Sequence, residues 1–458
     1  MIIPIFQFLD NLPFTNRGRF ERYARHVRIL YMDTPKIEIS PRIYLRLHSI
    51  CDSPLLPSLK EIYMPDQNNS VDLALVKPLA SGTSLNNLSL NDRATSDADF
   101  FIPFLTLLAT KSPQLLSLAL SGTGDVALAP VFCFKNLQQL EIKLSRTYLC
   151  SQTLGRLGSL DNLLDLKLDA SASDSSPGDH ALLPTPLPPC YGMLRSFHII
   201  GSPSSIARVV NYIRLPSLAN LVIDELPGNT NAHPKPFWVS CFQQLSRSQA
   251  IEQVEINQCE RWELDHSLSI SWLDPLLDLK NMKSLVINGS SLSGSDQDIC
   301  RLAHSFHKLQ KLGLPPNDHS QRRTLACLPY FSQKCPDLQE IKIAVSLDIM
   351  DNLLAIRALP DTICGNGQHP LKGLHITSEF GDINIIDTIK VAQFLDLYFP
   401  NLFILEYYEP YISSASYHPG STEASTWEGI HLVRMALQTA RIDAIRSKSE
   451  MESDRSEK

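Results

Sequence analysis

The stretch CPDLQEIKIAV, Cys335 to Val345, sets a spacing that returns along most of the chain: an apolar residue, two others, an apolar residue, one other, an apolar residue. Its apolar positions are Leu338, Ile341 and Ile343, and the closing alternation fits a short strand with one buried face. One copy would say little. The same spacing occurs at Leu59/Ile62/Met64, Leu85/Leu88/Leu90, Leu115/Leu118/Leu120, Leu137/Leu140/Ile142, Leu163/Leu166/Leu168 and Leu194/Phe197/Ile199. It continues at Leu218/Leu221/Ile223, Ile251/Val254/Ile256, Met282/Leu285/Ile287 and Leu309/Leu312/Leu314, and beyond Ile343 at Leu371/Leu374/Ile376 and Leu402/Leu405/Tyr407. Thirteen copies thus lie between residues 59 and 407, at intervals of 22 to 33 residues.

The segments between copies carry apolar residues at helical spacing, as in FFIPFLTLLATKSPQL, SIARVVNYIRLPSL and IKVAQFLDLYFPNL. Several place a proline just before the first apolar residue of the next copy. Proline biases its predecessor away from the helical region, so it ends the helix and lets the strand begin. Each unit is then a helix, a turn and a short strand that cannot bury its apolar face alone, whereas a stack of such units buries a continuous core. An ordinary doubly wound sheet predicts continuous apolar strands without a fixed register, which this pattern does not show. The expected fold is α/β: a leucine-rich repeat solenoid, an open arc or horseshoe of about thirteen irregular repeats.

Both ends depart from the pattern. Residues 1–50 read as an N-terminal capping segment in which RFERYARHVRILYM, with Phe20, Tyr23, Val27 and Ile29/Leu30, forms a helix entering a degenerate first strand. The solenoid spans 51–410, with loop insertions at 169–189 and 226–236. Residues 411–445 form a loop and a capping helix on Trp427, Ile430, Val433, Leu437, Ala440 and Ala444, and 446–458 form a charged, disordered tail.

Chemistry is sparse. The net charge of −7 over 458 residues leaves no basic footprint for a nucleic acid or an anionic membrane. The ten cysteines form no C-x-x-C pair, so most read as small buried residues rather than zinc or redox ligands. No phosphate loop, H-E-x-x-H or G-x-S-x-G motif occurs, and Asp179-His180 sit in a Pro/Ser loop without rigid support. The expectation is no enzyme, no metal and no cofactor. The N-terminus lacks a basic n-region and a cleavage site, and no stretch is apolar enough for a span, which points to a cytoplasmic or nuclear protein that is not secreted.

What remains is a surface. Strand residues between the second and third apolar positions point away from the core and line the concave face. They read Tyr63, Ser89, Ala119, Glu141, Lys167, His198, Val222, Glu255, Val286, Gly313, Lys342, His375 and Glu406. Positions after the third apolar residue add Lys143, Asp169, Asp224, Asn257, Asn288 and Tyr408. This mixture suits a protein partner better than a polyanion. The C-terminal stretch LEYYEPYISSASY gathers tyrosines beside Ile404, and tyrosines are enriched at interface hot spots. The candidate partner-binding residues are Ile404, Glu406, Tyr408, Tyr411, His375 and Lys342.

SPQLLSLAL, LPSLANLVI and CPDLQEIKI resemble the repeats of fungal, mushroom-type F-box proteins with leucine-rich repeats, and RFERYARHVRIL resembles the segment that follows the F-box in them. The resemblance implies repeats that hold a substrate while an F-box docks on a Skp-type adaptor of a cullin–RING ubiquitin ligase. No F-box is legible: about twenty residues precede the resembling segment, and Asn11-Leu12-Pro13 is too little to count as one. The expected function is a protein-binding scaffold like the substrate-recognition region of such a ligase, with the adaptor as a partner only if an upstream F-box exists. The alternatives are a scaffold with no ubiquitin role and a GTPase-activating repeat protein, for which the chain shows no fixed catalytic polar cluster.

Overall fold

The computed structural model describes residues 17–31, 56–64, 85–123, 127–145, 149–171, 188–227, 235–258, 268–289, 291–316, 323–345, 369–378, 385–407 and 422–456. The chain forms two compact units, one of Met1–Leu218 with Gly228–Asn231, the other of Ala219–Pro227 with Ala232–Lys458. The first holds strands β1 (Ile29–Tyr31), β2 (Glu61–Tyr63), β3 (Asn87–Leu90), β4 (Ser117–Gly122), β5 (Gln139–Leu144), β6 (Asp165–Asp169) and β7 (Ser196–Gly201). They pair in parallel in chain order. The second unit holds β8 (Asn220–Glu225), β9 (Gln253–Asn257), β11 (Ser284–Asn288), β13 (Lys311–Gly313), β14 (Glu340–Val345), β15 (Gly373–Ser378) and β16 (Ile404–Tyr407), again parallel and in order. A separate two-stranded pair joins β10 (Leu268–Ser269) to β12 (Leu292–Ser293). In neither unit does the main sheet close on itself.

All thirteen copies of the spacing form a strand of these sheets, and β1 adds the degenerate first one. Matching apolar positions stand side by side: Leu118, Leu140, Leu166 and Phe197 in the first unit, Leu285, Leu312, Ile341, Leu374 and Leu405 in the second. All are buried. At about 1.5–3 kcal/mol for each fully buried large apolar side chain, the apolar rows dominate the stability of the stack. The connecting segments hold helices, among them Ala98–Lys111, Pro203–Tyr212, Asp296–Ser305 and Ile385–Tyr398, and 3₁₀ turns such as Ala129–Cys133 and Ile270–Asp278. The fold is an α/β leucine-rich repeat solenoid.

Each strand is aimed by a turn. In eleven copies the N–H of the first apolar residue donates to the carbonyl three residues earlier, as in Leu137 to Phe134, Met282 to Leu279 and Leu338 to Cys335. The residue supplying that carbonyl is buried in each of these copies. Ser112, Phe134, Leu279, Phe306 and Cys335 hold ψ between 61° and 84°, off the helical value. Pro113 and Pro336 disfavour the helical region for Ser112 and Cys335, and Phe134, Leu279 and Phe306 hold the same range with no proline after them. His369 takes over the role before Leu371: its Nδ1 accepts from the Leu371 N–H at 3.2 Å, while its Nε2 bonds the Cys335 carbonyl at 3.0 Å.

The ends depart from the expectation in detail. The helix Arg17–Ala24 does run into β1, but Ala24, Val27 and Leu30 are buried while Tyr23 is exposed. The C-terminal helix spans Thr422–Ser456, through the stretch expected to be disordered, where Lys, Glu, Arg and Met favour a helix. Its buried stripe is Trp427, Ile430 and Arg434; Ala440 and Ala444 are exposed, because the packed part of the helix ends near Gln438. Of the seven cysteines that lie among the described residues Cys241, Cys327 and Cys335 are buried, while Cys133 and Cys190 are exposed. Most of each insertion and Tyr408, Tyr411 and Tyr417 lie outside the described residues.

Burial holds His369 below its ordinary value of 6.5, against the pull of its bond to the Cys335 carbonyl. The unfolded chain therefore binds this proton more tightly. The contribution is present above the unfolded value and is lost as pH falls through the folded one. Denaturant unfolding of the wild type and His369→Gln at pH 7.5 and pH 5 checks this: the stability gap between the two proteins should narrow on acidification, and a gap independent of pH would contradict it.

Candidate protein-binding face

The midway residues of neighbouring strands are register partners, so the sequence row becomes a physical row. In the second unit it runs Val222, Glu255, Val286, Gly313, Lys342, His375 and Glu406 across β8, β9, β11, β13, β14, β15 and β16. In the first it runs Tyr31, Tyr63, Ser89, Ala119, Glu141, Lys167 and His198. These side chains lie opposite the buried apolar rows.

Four of the six residues expected to bind a partner sit together at the end of the second unit. His375 Nδ1 lies 3.2 Å from Glu406 Oε2, and its Nε2 lies 3.9 Å from Glu340 Oε1. Glu340 Oε1 also meets Lys311 Nζ at 3.1 Å. A row of facing polar side chains thus runs Lys311, Glu340, His375, Glu406, in which the His375 contacts are ion pairs only when the ring is protonated, with Lys342 in the next register position to His375. Ile404 opens β16 as an exposed residue beside Phe403, which is 80% exposed. Tyr408 and Tyr411 lie outside the described residues. The Glu406 side chain is 63% exposed and the Lys311 side chain 47%, and exposed ion pairs of this kind contribute about 0–1 kcal/mol. The network orients charged groups on a surface more than it holds the fold.

Three further features escaped the sequence. Asn257 Nδ2 donates to Asp224 Oδ1 at 2.8 Å, and Asn288 Nδ2 donates to Asn257 Oδ1 at 2.8 Å, a ladder across β8, β9 and β11. Gln258 Nε2 donates to Glu225 Oε2 at 3.2 Å beside it. On the turn side, Asn136, Asn162, Asn281 and Asn401 each stand just before a first apolar residue and donate to a carbonyl of the preceding repeat, at 2.9 to 3.1 Å. Aligning the thirteen copies on their first leucine would have shown this asparagine. In the first unit Tyr31 and Tyr63 stack at 4.9 Å between ring centroids, 13° from parallel.

Among the described residues no three His, Cys, Asp or Glu side chains are grouped so as to hold a metal ion, and no helix is long and apolar enough to cross a membrane. A cleft of about 280 Å³ lies between the turns before β6 and β7, lined by Leu160, Asp161, Leu163, Cys190, Tyr191 and Met193. Burial pushes the Tyr191 hydroxyl far up, and that hydroxyl donates to the Leu154 carbonyl at 2.7 Å, which makes it a packing group.

No family model and no curated protein matches the chain. Among solved structures it is similar to a leucine-rich repeat protein of Leptospira interrogans at 12% identity and a TM-score of 0.31, over 87% of this chain and 100% of that one. It is also similar to the yeast Rad7 and Elc1 complex at 13% identity and a TM-score of 0.36, over 91% of this chain and 89% of that one. At these levels the fold rests on the register and turns described above.

The asparagine ladder yields a stability test. Asn257→Ala removes one donor and one acceptor and breaks both bonds of the ladder, a cost of about 1–2 kcal/mol. Urea unfolding should show it, while Asn288→Ala, at the end of the ladder, should cost less. Equal costs would mean that the ladder does not act as a connected row.

Proposed function

We propose that this chain is a protein-binding scaffold that grips its partner with the outward, concave face of its strands, centred on Lys342, His375, Ile404 and Glu406 and continuing into Tyr408 and Tyr411. The observation that carries the reading is the charge row on β14 to β16, flanked by the exposed Phe403 and Ile404. Groups that stabilise the fold so little, yet stand in fixed register with an apolar rim, fit a role in complementarity toward a partner. Both signs of charge in the row favour a polypeptide over a polyanion. No step of this reading needs a cofactor or a reaction.

A second reading makes the scaffold a substrate receptor of a cullin–RING ubiquitin ligase. It is favoured by the helix Arg17–Ala24 and its entry into β1, which lie in the segment that resembles the region after an F-box. It requires a Skp-type adaptor to bind. Direct binding of purified adaptor to the native protein would carry the reading, and its absence would leave the plain scaffold.

The test of the first reading is charge reversal. With a partner identified by crosslinking in cells, Glu406→Lys combined with Lys342→Glu should weaken binding about tenfold or more, while Tyr408→Ala and Tyr411→Ala should each weaken it by a smaller factor. Thermal unfolding should change little. Unchanged affinity in all three variants would remove this patch from the interface.

A further inference from the structure

We propose that the start of the strand face in the first unit, at Tyr31, Tyr63 and Glu61, is a seat for an arginine side chain of a partner polypeptide. The inference rests on the reading of this face as protein-binding, but it concerns a different unit and different residues from the charge row on β14 to β16.

The seat is prearranged. Tyr31 and Tyr63 are register partners on β1 and β2, and their rings stack. The Tyr63 hydroxyl donates to Glu61 Oε2 at 2.9 Å, which holds that ring in place. Tyr31 lies on the held ring with 62% of its surface exposed. Among the described residues the outer ring face of Tyr31 meets no other ring and no cation. Glu61 forms no ion pair there, and its other carboxylate oxygen has no hydrogen bond. On the far side of Tyr63 the row continues with the small residues Ser89 and Ala119.

The chemistry selects the occupant. The face of an aromatic ring carries negative quadrupole charge and attracts a cation, and a carboxylate at the rim adds to the same field. An anion is repelled by both. A purely apolar side chain would strip water from Glu61 without replacing it. Between the two basic side chains, guanidinium is planar and weakly hydrated and stacks on a ring, whereas ammonium is compact and strongly hydrated. A packing role alone does not account for Tyr31, because packing would bury it.

The experiment uses the full chain labelled with 3-fluorotyrosine and followed by fluorine NMR, with Tyr31→Phe assigning the Tyr31 signal. N-acetyl-arginine methylamide is titrated against the citrulline and lysine analogues at matched ionic strength. The expected result is a saturable shift of the Tyr31 and Tyr63 signals with arginine, weaker with lysine and absent with citrulline. The Tyr63 shift should survive in Tyr31→Phe, which keeps a ring, and vanish in Tyr31→Leu. Glu61→Gln should weaken the arginine effect about threefold. The far-UV circular dichroism and the other fluorotyrosine signals report folding of each variant. Equal shifts from arginine and citrulline, or a Tyr63 shift that persists in Tyr31→Leu, would overturn the proposal. Such a failure leaves the β14 to β16 interface standing, because that is read with charge-reversal variants and no arginine probe.

Discussion

Within each unit, one carbonyl oxygen of a repeat accepts two consecutive N–H groups from the next. Gln138 receives Leu164 and Asp165, Leu164 receives Arg195 and Ser196, Glu252 receives Lys283 and Ser284, and Gln339 receives Lys372 and Gly373. This shared acceptor stands where the turn meets the strand and fixes the pairing before the ladder begins. A slip of one residue would turn every side chain to the opposite face, so the apolar rows and the polar row exist only because this junction does not slip. The three-residue turn before it and the asparagine bonds between successive turns hold the same junction from outside the sheet.

Stability and surface chemistry therefore separate onto two faces of the same strands. The inner rows supply burial, and the outer rows hold charged and polar groups whose pairs contribute little individually. Spacing between strands is set by the backbone, so a residue such as His375 meets Glu406 by register rather than by a bond that the fold requires. Substitutions on the outer row change what the face presents while leaving the stack intact.

The strands were legible in the sequence because a period-two burial pattern has to be written in apolar residues, and all thirteen copies folded as strands. The turn residue was not legible. It is Phe134 in one repeat, Tyr191, Ser248 or Cys335 in others, because the turn uses the residue's carbonyl as acceptor rather than one kind of side chain. Tyr31 escaped notice because its copy is degenerate, and only the pairing of Tyr31 with Tyr63 across thirty-odd residues brings the rings together. The charge row was half legible: its midway members followed from the pattern, whereas Lys311 and Glu340 join from the adjacent position. Buried arginines were hidden for a similar reason. Arg434 takes the buried place on the capping helix next to Val433, which the spacing had assigned to the stripe, and it lies in the field of Asp396, which itself bonds Arg441. Arg323 is buried by bonds to the Leu292 and Pro315 carbonyls that no local pattern announces.

The central claim is that every repeat is pinned at the same junction, and amide hydrogen exchange with fragment-level resolution tests it most directly. The account predicts slow exchange at the paired amides that enter each strand, among them Gln138 and Gln139, Leu164 and Asp165, Glu252 and Gln253, and Gln339 and Glu340, in contrast to fast exchange in the exposed end of the C-terminal helix beyond Gln438. Exchange at those strand entries as fast as in the exposed helix end would contradict it, since a junction that opens freely cannot hold the register on which both faces depend.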